Sequence, residues 1–144
     1  DKDKIVVVLG DNIIEKNIRS AVEKFRSQRE GARILLKEVS DPQRFGVPVF
    51  EGGEVIRVEE KPAKPASNYA VIGIYMYDYR VFEFIRSLKP SQRGELEITD
   101  VNNFYIREGK MEWDVLDGWW TDAGTFESLQ YAANMVEKTG ANKL

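Results

Sequence analysis

The sequence contains no cysteine and no histidine among its 144 residues. Without cysteine the chain has no disulfide framework, no thiolate metal site and no thiol nucleophile. Without histidine it lacks the side chain most often used for acid–base catalysis near neutral pH. Any chemistry must therefore use carboxylates, lysines and bound metal ions, and the absence of cysteine is compatible with a reducing compartment.

Long apolar runs and dense basic clusters are also missing. The longest apolar run, residues 5–9, is far too short to span a bilayer, and the first residues lack the basic-then-apolar layout of a signal peptide. The 21 basic and 24 acidic residues give a net charge of −3, and no Lys/Arg run is dense enough to follow a nucleic-acid backbone or an anionic membrane. The composition therefore argues against nucleic-acid and membrane partners and favours a cytoplasmic enzyme or binding domain.

The apolar residues that are present, 42% of the chain, are enough for one hydrophobic core. The β-branched run at 5–9 stops at Gly10, which is typical of a strand buried on both faces of a parallel sheet. Asp11 would then lie at the carboxyl end of that strand, where open α/β sheets bind ligands. Because this interior-type strand follows directly on four charged residues, we expect neighbouring strands from a further N-terminal portion or from a partner chain.

Further strands and helices are predicted from hydrophobic periodicity and turn residues. A strand at 69–77 is expected to be interrupted at Gly73, and a hairpin at 47–58 to turn at two glycines. The other predicted elements are strands at 32–39 and 111–116 and helices following Asn17, at 81–88, from 98 to 105 and at 126–136. We expect an α/β fold with a mixed, mostly parallel sheet flanked by helices, and a β-hairpin subregion.

Five segments occur in an order that resembles the glucose-1-phosphate thymidylyltransferases, which belong to the sugar-1-phosphate nucleotidyltransferase family. They are Leu-Gly-Asp-Asn-Ile at 9–13, Arg-Phe-Gly-Val at 44–47, Glu-Glu-Lys-Pro at 59–62 with Ser-Asn-Tyr-Ala-Val-Ile-Gly at 67–73, Arg-Gly-Glu-Leu-Glu-Ile-Thr-Asp-Val-Asn at 93–102 and Trp-Trp-Thr-Asp-Ala-Gly-Thr at 119–125. The match runs through nearly the whole chain, and five segments in order are far more specific than any one of them.

The family's Gly-rich loop, of the form Gly-Gly-x-Gly-Thr-Arg-Leu, has no counterpart in this sequence. In the family that loop holds the nucleotide phosphates, and the base-recognising residues belong to the same portion. The resemblance therefore implies that residues 1–144 form the C-terminal, sugar- and metal-binding portion of a nucleotidyltransferase domain whose N-terminal portion is absent. Whether the isolated chain is active stays open.

The resemblance implies a Mg²⁺-dependent reaction in which glucose-1-phosphate attacks the α-phosphorus of a nucleoside triphosphate, with dTTP giving dTDP-glucose and pyrophosphate. Because two polyanions must meet, catalysis needs a metal ion, positive side chains and in-line placement. It requires neither cysteine nor histidine. Mg²⁺ takes oxygen ligands and is often held by one or two carboxylates. By resemblance the metal ligands are Asp11 and Asp122, and the catalytic residues are these two with Lys61. The family also implies homo-oligomers.

By resemblance the sugar phosphate is bound by Gly46, Glu60, Lys61, Gly73, Arg93, Glu97 and Trp120. A carboxylate accepts hydrogen bonds from sugar hydroxyls, an ammonium contacts a phosphate, and glycine admits close approach of the backbone. An aromatic ring can wall a sugar pocket. Each residue also has an ordinary structural explanation, such as a turn, a charged strand end or a core tryptophan.

Two other functions fit parts of the sequence. A non-catalytic nucleotidyltransferase-like module, with a binding or regulatory role, would explain the missing Gly-rich loop but would not need both aspartates. A glycosyltransferase would use nucleotide sugars and a divalent metal, but these enzymes usually carry an Asp-x-Asp pair, whereas the segment at 10–13 offers one carboxylate.

Overall fold

The computed structural model describes residues 3–90 and 97–141. The strands are β1 (Ile5–Val8), β2 (Asn12–Ile14), β3 (Ala32–Glu38), β4 (Gly46–Glu51), β5 (Glu54–Glu60), β6 (Tyr69–Tyr77), β7 (Met111–Val115) and β8 (Trp120–Asp122). The α-helices are α1 (Arg19–Ser27), α2 (Val81–Ser87), α3 (Ile98–Arg107) and α4 (Phe126–Thr139), and a 3₁₀ turn lies at Pro42–Arg44.

The main sheet has the strand order β5-β4-β6-β3-β7, with β1 also paired to β6. Side chains of a strand alternate between the two faces, and the core follows this alternation. Tyr75 and Tyr77 of β6 pack in a cluster with α3, whereas Ile74 and Met76 pack in a second cluster with α1. Helices therefore cover both faces of β6, which explains why all but its first residue are buried.

The predicted class, α/β with a mixed sheet flanked by helices, is confirmed, but its strands are less parallel than expected. Among the described residues β3 and β7 are the parallel pair, and the other pairs are antiparallel. The prediction that the strand at 5–9 is buried in a parallel sheet is wrong, because β1 runs antiparallel to β6 and leaves Val6 and Val8 42% and 56% exposed. A run of β-branched residues favours a strand but encodes neither its direction nor its neighbours.

The expected irregularity at Gly73 is present in the strand pairing, although β6 itself continues through this residue. Ile34 pairs with Tyr75 and Leu36 with Val71, so one residue of β3 faces three residues of β6, and Gly73 is the middle one. Gly73 is also required because a side chain of the ribbon formed by β2 and β8 packs directly over it.

The predicted hairpin is confirmed as β4 and β5. Its turn residues Gly52 and Gly53 have φ of 58° and 84°, and a two-residue turn with φ positive at both positions matches the right-handed twist of the strands. At the open end of the hairpin Gly46 pairs with Glu60, so two predicted site residues face each other across the ladder.

The side chain of Asn103 fastens helix α3 to this hairpin. Asn103 Nδ2 donates to the Val58 carbonyl at 2.9 Å, and the Val58 N–H donates to Asn103 Oδ1 at 2.8 Å. The amide thus pairs with the edge of β5 as a neighbouring strand would. This contact sets the first turn of α3 beside the open end of the hairpin.

The short strands β2 and β8 were not predicted, because three residues carry too little periodicity to identify a strand. They pair antiparallel and place Asn12 opposite Asp122. The predicted helix start at Thr125 is confirmed as a capping box with Ser128, in which each side chain accepts a hydrogen bond from the other residue's backbone N–H.

Candidate functional site

A cavity of about 290 Å³ lies where the β2/β8 ribbon, the centre of β6, the open end of the hairpin and the first turn of α3 meet. Seven of the nine predicted site residues line it. These are Asp11, Gly46, Glu60, Lys61, Gly73, Trp120 and Asp122. They come from five separate parts of the chain, so the fold brings together residues that sequence similarity alone had grouped.

The other two predicted site residues are Arg93 and Glu97. Arg93 lies outside the described residues. Glu97 precedes α3 and does not line the cavity, whereas the next two residues, Ile98 and Thr99, do. At the start of α3 the residues that line the cavity are therefore Ile98 and Thr99.

The two predicted metal ligands approach each other beside Gly124. A Cβ atom at Gly124 would lie 3.5 Å from Asp11 Oδ2 and 3.5 Å from Asp122 Oδ2, so both carboxylate oxygens point toward one place. The Ala123 N–H donates to the Asp11 carbonyl at 2.6 Å, which ties the two segments together.

These two carboxylates are chemically suited to Mg²⁺, which takes oxygen ligands and often keeps several waters. No cluster of three or more acidic side chains that could hold a metal ion is found within 3–90 and 97–141. The pair therefore fits an ion that takes its remaining ligands from water and substrate phosphates, and not a fully enclosed protein site.

Asn12 connects the aspartate pair to the rest of the pocket. Its Oδ1 accepts hydrogen bonds from the Gly73 N–H at 2.8 Å and from Trp120 Nε1 at 2.7 Å, while its Nδ2 donates to Asp11 Oδ1 at 2.9 Å. A Cβ at Gly73 would lie 2.4 Å from Asn12 Nδ2, so only glycine fits at this position. Asn12 therefore holds Asp11 and the Trp120 ring in one arrangement.

Arg44 places a positive charge beside the aspartates. Its guanidinium lies 2.9 Å from Asp41 Oδ2 and 3.7 Å from Asp122 Oδ2. The hydrogen bond that Arg44 donates to Asp41, together with the charge of Asp122, raises the pKa of Arg44 above its ordinary value. Arg44 lines both this cavity and a wider one of about 920 Å³, whose walls include Tyr131 of α4.

Glu60 is held from the opposite side of the cavity. The Thr99 hydroxyl donates to Glu60 Oε2 at 2.6 Å, and a Cβ at Gly46 would lie 3.5 Å from the same oxygen. Thr99 is 6% exposed, whereas Glu60 is exposed, so a buried donor orients an exposed carboxylate. A carboxylate oriented in this way can accept hydrogen bonds from a polyhydroxylated ligand.

Lys61 is the described non-glycine residue with a positive φ, 43°. Its N–H donates to the Phe45 carbonyl at 2.9 Å, which holds the strained backbone in place. Side-chain-bearing residues rarely adopt this conformation and often do so at functional sites. Lys61 directly follows Glu60, the last residue of β5, and both residues line the cavity.

The floor of the cavity is formed by Tyr75. Burial, with the nearby charges of Glu60 and Asp11, raises the pKa of Tyr75 to about 12. The phenol therefore stays neutral at physiological pH. Glu60 and Asp11 lie on opposite sides of the cavity, and both raise the pKa of Tyr75, because the two sides lie close together.

Several lining residues were missed by sequence reasoning. They are Leu9, Asn12, Arg44, Phe45, Val71, Tyr75, Ile98, Thr99 and Asn102. Asn12 carried a sequence signal because it adjoins Asp11. Thr99 and Asn102 lie one helical turn apart, so the sequence indicates that they share a helix face. Val71 and Tyr75 had none, because they read as ordinary members of a buried strand.

Comparison with known proteins places this chain in a family. Residues 1–139 match the model of the nucleotidyl transferase family. A glucose-1-phosphate thymidylyltransferase of Neisseria meningitidis is 42% identical over 139 residues, covering 94% of this chain and 48% of the relative. A second one, from Xanthomonas campestris, is 44% identical over 135 residues, covering 91% of this chain and 46% of the relative.

A solved structure agrees with these matches. It is described as a glucose-1-phosphate thymidylyltransferase of Bacillus anthracis in complex with a sucrose, and it superimposes with a TM-score of 0.88 at 54% identity. The superposition covers 93% of this chain and 55% of that one. The fold is thus that of a nucleotidyltransferase.

This chain belongs to the nucleotidyl transferase family. The resemblance to the thymidylyltransferases seen in the five segments is therefore confirmed. The chain spans about half the length of the curated relatives it matches. Within the described residues, no helix has the length and apolar character needed to cross a membrane.

Proposed function

We propose that this chain is the sugar-phosphate- and magnesium-binding portion of an enzyme that transfers a thymidylyl group from dTTP to glucose-1-phosphate. The observation that carries the proposal is the convergence of two carboxylates, Asp11 and Asp122, with Glu60 and Lys61 on one 290 Å³ cavity. Relatives at 42% and 44% identity are glucose-1-phosphate thymidylyltransferases by name, which supports glucose-1-phosphate and a thymidylyl donor as the substrates.

In this proposal the residues of the cavity bind and orient the sugar phosphate. Glu60, fixed by Thr99, accepts hydrogen bonds from sugar hydroxyls. Lys61 neutralises the phosphate as a compact positive charge. Gly46 and Gly73 let the backbone approach the sugar, and the Trp120 ring, packed edge-on against Phe45 at 5.2 Å, forms a side wall.

Asp11 and Asp122 would hold Mg²⁺, which when bound would neutralise charge on the phosphates of both substrates. Asn12 orients Asp11 through its 2.9 Å hydrogen bond. The nucleophile is already an anionic phosphate oxygen, so these residues need not remove a proton from it. Their task is to bring two anions together in line, and neither histidine nor cysteine is needed for that.

Other predictions complete this proposal. Arg93 is expected to contact the phosphate, and Glu97, which does not line the cavity but adjoins the lining residue Ile98, stays a predicted sugar contact. We also expect the protein to be cytoplasmic, as the location of its substrates would require. Homo-oligomers are expected as well, and the exposed apolar residues of α4, among them Phe126 at 95% and Leu129 at 50%, support self-association. Sedimentation velocity of the purified protein would measure its oligomeric state.

The proposal is tested first by calorimetric titration of glucose-1-phosphate into the 144-residue protein, with and without Mg²⁺. Lys61→Gln and Asp122→Asn are expected to weaken binding at least tenfold, the second variant only when Mg²⁺ is present. Lys64→Gln and Asp117→Asn are matched controls, because both residues are exposed and neither lines this cavity.

Pyrophosphate release with glucose-1-phosphate, dTTP and Mg²⁺, measured with the chain alone and after adding a separately made N-terminal portion of a family member, then separates an enzyme from a binding module. Release that Asp11→Asn abolishes supports the transferase. Tight sugar-phosphate binding without any release supports a module that binds the sugar phosphate alone. Absence of magnesium-dependent sugar-phosphate binding in the wild-type protein contradicts the proposal.

A further inference from the structure

Asn102 is a buried polar residue on the wall of the cavity that the proposed function does not yet use. Its side chain is 1% exposed, and its Oδ1 accepts a hydrogen bond of 2.7 Å from the Tyr77 hydroxyl. An asparagine amide also carries two N–H donors. In the described part of the chain, the Nδ2 atom of Asn102 has no hydrogen-bond acceptor.

This unpaired donor is reachable from the cavity. Among the described residues, the fully buried side-chain atoms without a hydrogen-bond partner are Gln28 Oε1 and Arg33 Nε. Asn102 Nδ2 is not one of them, so it retains contact with open space, and the space that Asn102 lines is the cavity. A donor that contacts the cavity and has no acceptor in the described protein is available to a ligand acceptor.

The orientation of the amide is set by a row of tyrosines. The Tyr77 ring is stacked on Tyr105 at 5.6 Å and 20°, and on Tyr75 at 6.1 Å and 12°. The Tyr105 hydroxyl in turn donates to Asp78 Oδ1 at 2.8 Å. Burial raises the pKa of Tyr77, so its hydroxyl stays a donor at physiological pH. Because the Tyr77 hydroxyl donates to Oδ1 of Asn102, Nδ2 is the end of the amide that faces the cavity.

Asn102 also lies on the same face of α3 as Thr99, since residues three apart in a helix are neighbours. Thr99 orients the Glu60 carboxylate, an acceptor, and Tyr77 orients the Asn102 amide, a donor. A sugar hydroxyl both donates and accepts hydrogen bonds, and adjacent sugar hydroxyls can meet both groups. A ligand without a hydroxyl at this position would leave the amide unpaired, which is how a polar pocket discriminates.

We propose that Asn102 is a specificity-determining residue, whose amide N–H donates to one hydroxyl of the hexose and whose orientation is set by the Tyr77 hydroxyl. This inference rests on the proposed function, because it requires a sugar phosphate in the cavity. It adds a selection for hydroxyl position that Glu60 alone does not supply.

The test measures, by calorimetry with Mg²⁺, the affinity of the 144-residue protein for glucose-1-phosphate and for its 2-, 3-, 4- and 6-deoxy analogues. Loss of one hydrogen bond predicts that the wild-type protein binds one analogue about tenfold more weakly. Asn102→Asp retains an acceptor for Tyr77 but exchanges the donor for an acceptor. It is expected to bind glucose-1-phosphate about tenfold more weakly and to lose discrimination against that same analogue.

Tyr77→Phe is the second variant, since it leaves Asn102 in place and removes only the bond that orients it. We expect this variant to reduce the ratio of affinities for glucose-1-phosphate and the weakly bound deoxy analogue about threefold. Tyr105→Phe is the control, because it also removes a buried phenol hydroxyl but bonds to Asp78 and not to Asn102. Its discrimination is expected to equal that of the wild-type protein.

The outcomes separate this inference from the proposed function. Wild-type protein that binds no sugar phosphate contradicts both. Wild-type protein that binds glucose-1-phosphate, with Asn102→Asp discriminating among the analogues as before, overturns the inference and leaves the proposed function intact. If Asn102→Asp does not fold, as judged by circular dichroism, unchanged discrimination in Tyr77→Phe overturns it.

Discussion

The Thr99 hydroxyl donates a hydrogen bond of 2.6 Å to Oε2 of Glu60, and so connects the first turn of α3 to the last residue of β5. The two residues are 39 positions apart in the chain. The donor is buried and the carboxylate is exposed, so the bond orients Glu60 without enclosing it. A similar arrangement recurs with Asn12 and Asp11, where a half-buried amide orients an exposed carboxylate.

Replacing Thr99 by valine is expected to weaken glucose-1-phosphate binding about fivefold, because Glu60 loses its orienting donor while the packing volume stays the same. The free energy of unfolding should change by about 1 kcal/mol or less, since water can solvate the freed carboxylate. Calorimetry and urea denaturation measure the two quantities. Thr99→Ser keeps the hydroxyl and should bind nearly as well as the wild-type protein, and equal affinities for serine and valine variants would contradict this role.

Gly73→Ala is expected to disrupt the ribbon side of the cavity, because the added Cβ would lie 2.4 Å from Asn12 Nδ2 and 2.8 Å from Asn12 Cγ. Asn12 is held by three hydrogen bonds and cannot move without losing contacts to Trp120 and Asp11. Overpacking of this kind costs about 1–3 kcal/mol. Urea denaturation measures the loss, and a shift of tryptophan fluorescence reports the freed Trp120.

Gly10→Ala serves as the control for that substitution. No atom lies within 4 Å of the position that its Cβ would occupy, and its φ is not positive. Its stability should stay within about 0.5 kcal/mol of the wild-type value. A loss as large as that of Gly73→Ala would show that contact with Asn12 is not the cause.

Asp78→Asn is expected to lower stability at neutral pH and to change its acid dependence. Burial alone would raise the pKa of Asp78, but hydrogen bonds from Arg80, the Gly31 N–H and Tyr105 outweigh it and hold the pKa below its ordinary value of 3.8. The contribution of the ionised carboxylate is thus fully present above about pH 3.8 and is lost as the pH falls through the lower folded-state pKa.

The free energy of unfolding of the wild-type protein should therefore exceed that of Asp78→Asn by about 2 kcal/mol at pH 7. This difference in free energy should narrow below pH 3.8. Urea denaturation at several pH values measures it. Glu83→Gln, an exposed carboxylate on α2, should show no such dependence. A difference that stays constant down to pH 2 would mean that the charge of Asp78 does not contribute.

Thr125→Ala is expected to destabilise the protein by about 1 kcal/mol, because the Ser128 N–H loses its side-chain acceptor at the start of α4. Thr125→Ser should retain most of the stability, since serine caps as well as threonine. Thermal unfolding followed by circular dichroism measures both. Equal stability of the alanine and wild-type proteins would indicate that this end of α4 does not contribute to the cooperative unit.

Much of the site could be predicted from residues that stand next to a turn. Asp11, Glu60 and Lys61 follow strands, and Asp122 precedes a Gly-containing turn, so sequence patterns place each at a strand end. Asn102 could not be predicted in this way. Its helical position indicates only that it shares a face with Thr99, and which face of α3 meets the cavity depends on the Asn103 contact with β5.

The amino-acid sequence by itself determined the elements that depend on local chemistry. Periodicity located the main strands and helices, the Gly52-Gly53 pair specified the hairpin turn, and Thr125 specified a helix start, since these features depend on residues a few positions apart. The missing cysteine and histidine restricted the chemistry to carboxylates, lysines and metal ions.

Only the tertiary structure decided the strand directions, the exposed face of β1 and the convergence of the cavity walls. The β1/β6 and β3/β6 pairings join segments tens of residues apart, and the same β-branched residues suit either direction of pairing. The contact of Asn12 with Gly73 and Trp120 likewise exists only when three distant segments pack together. Side-chain orientation within the site is a property of packing, which no local pattern of residues encodes.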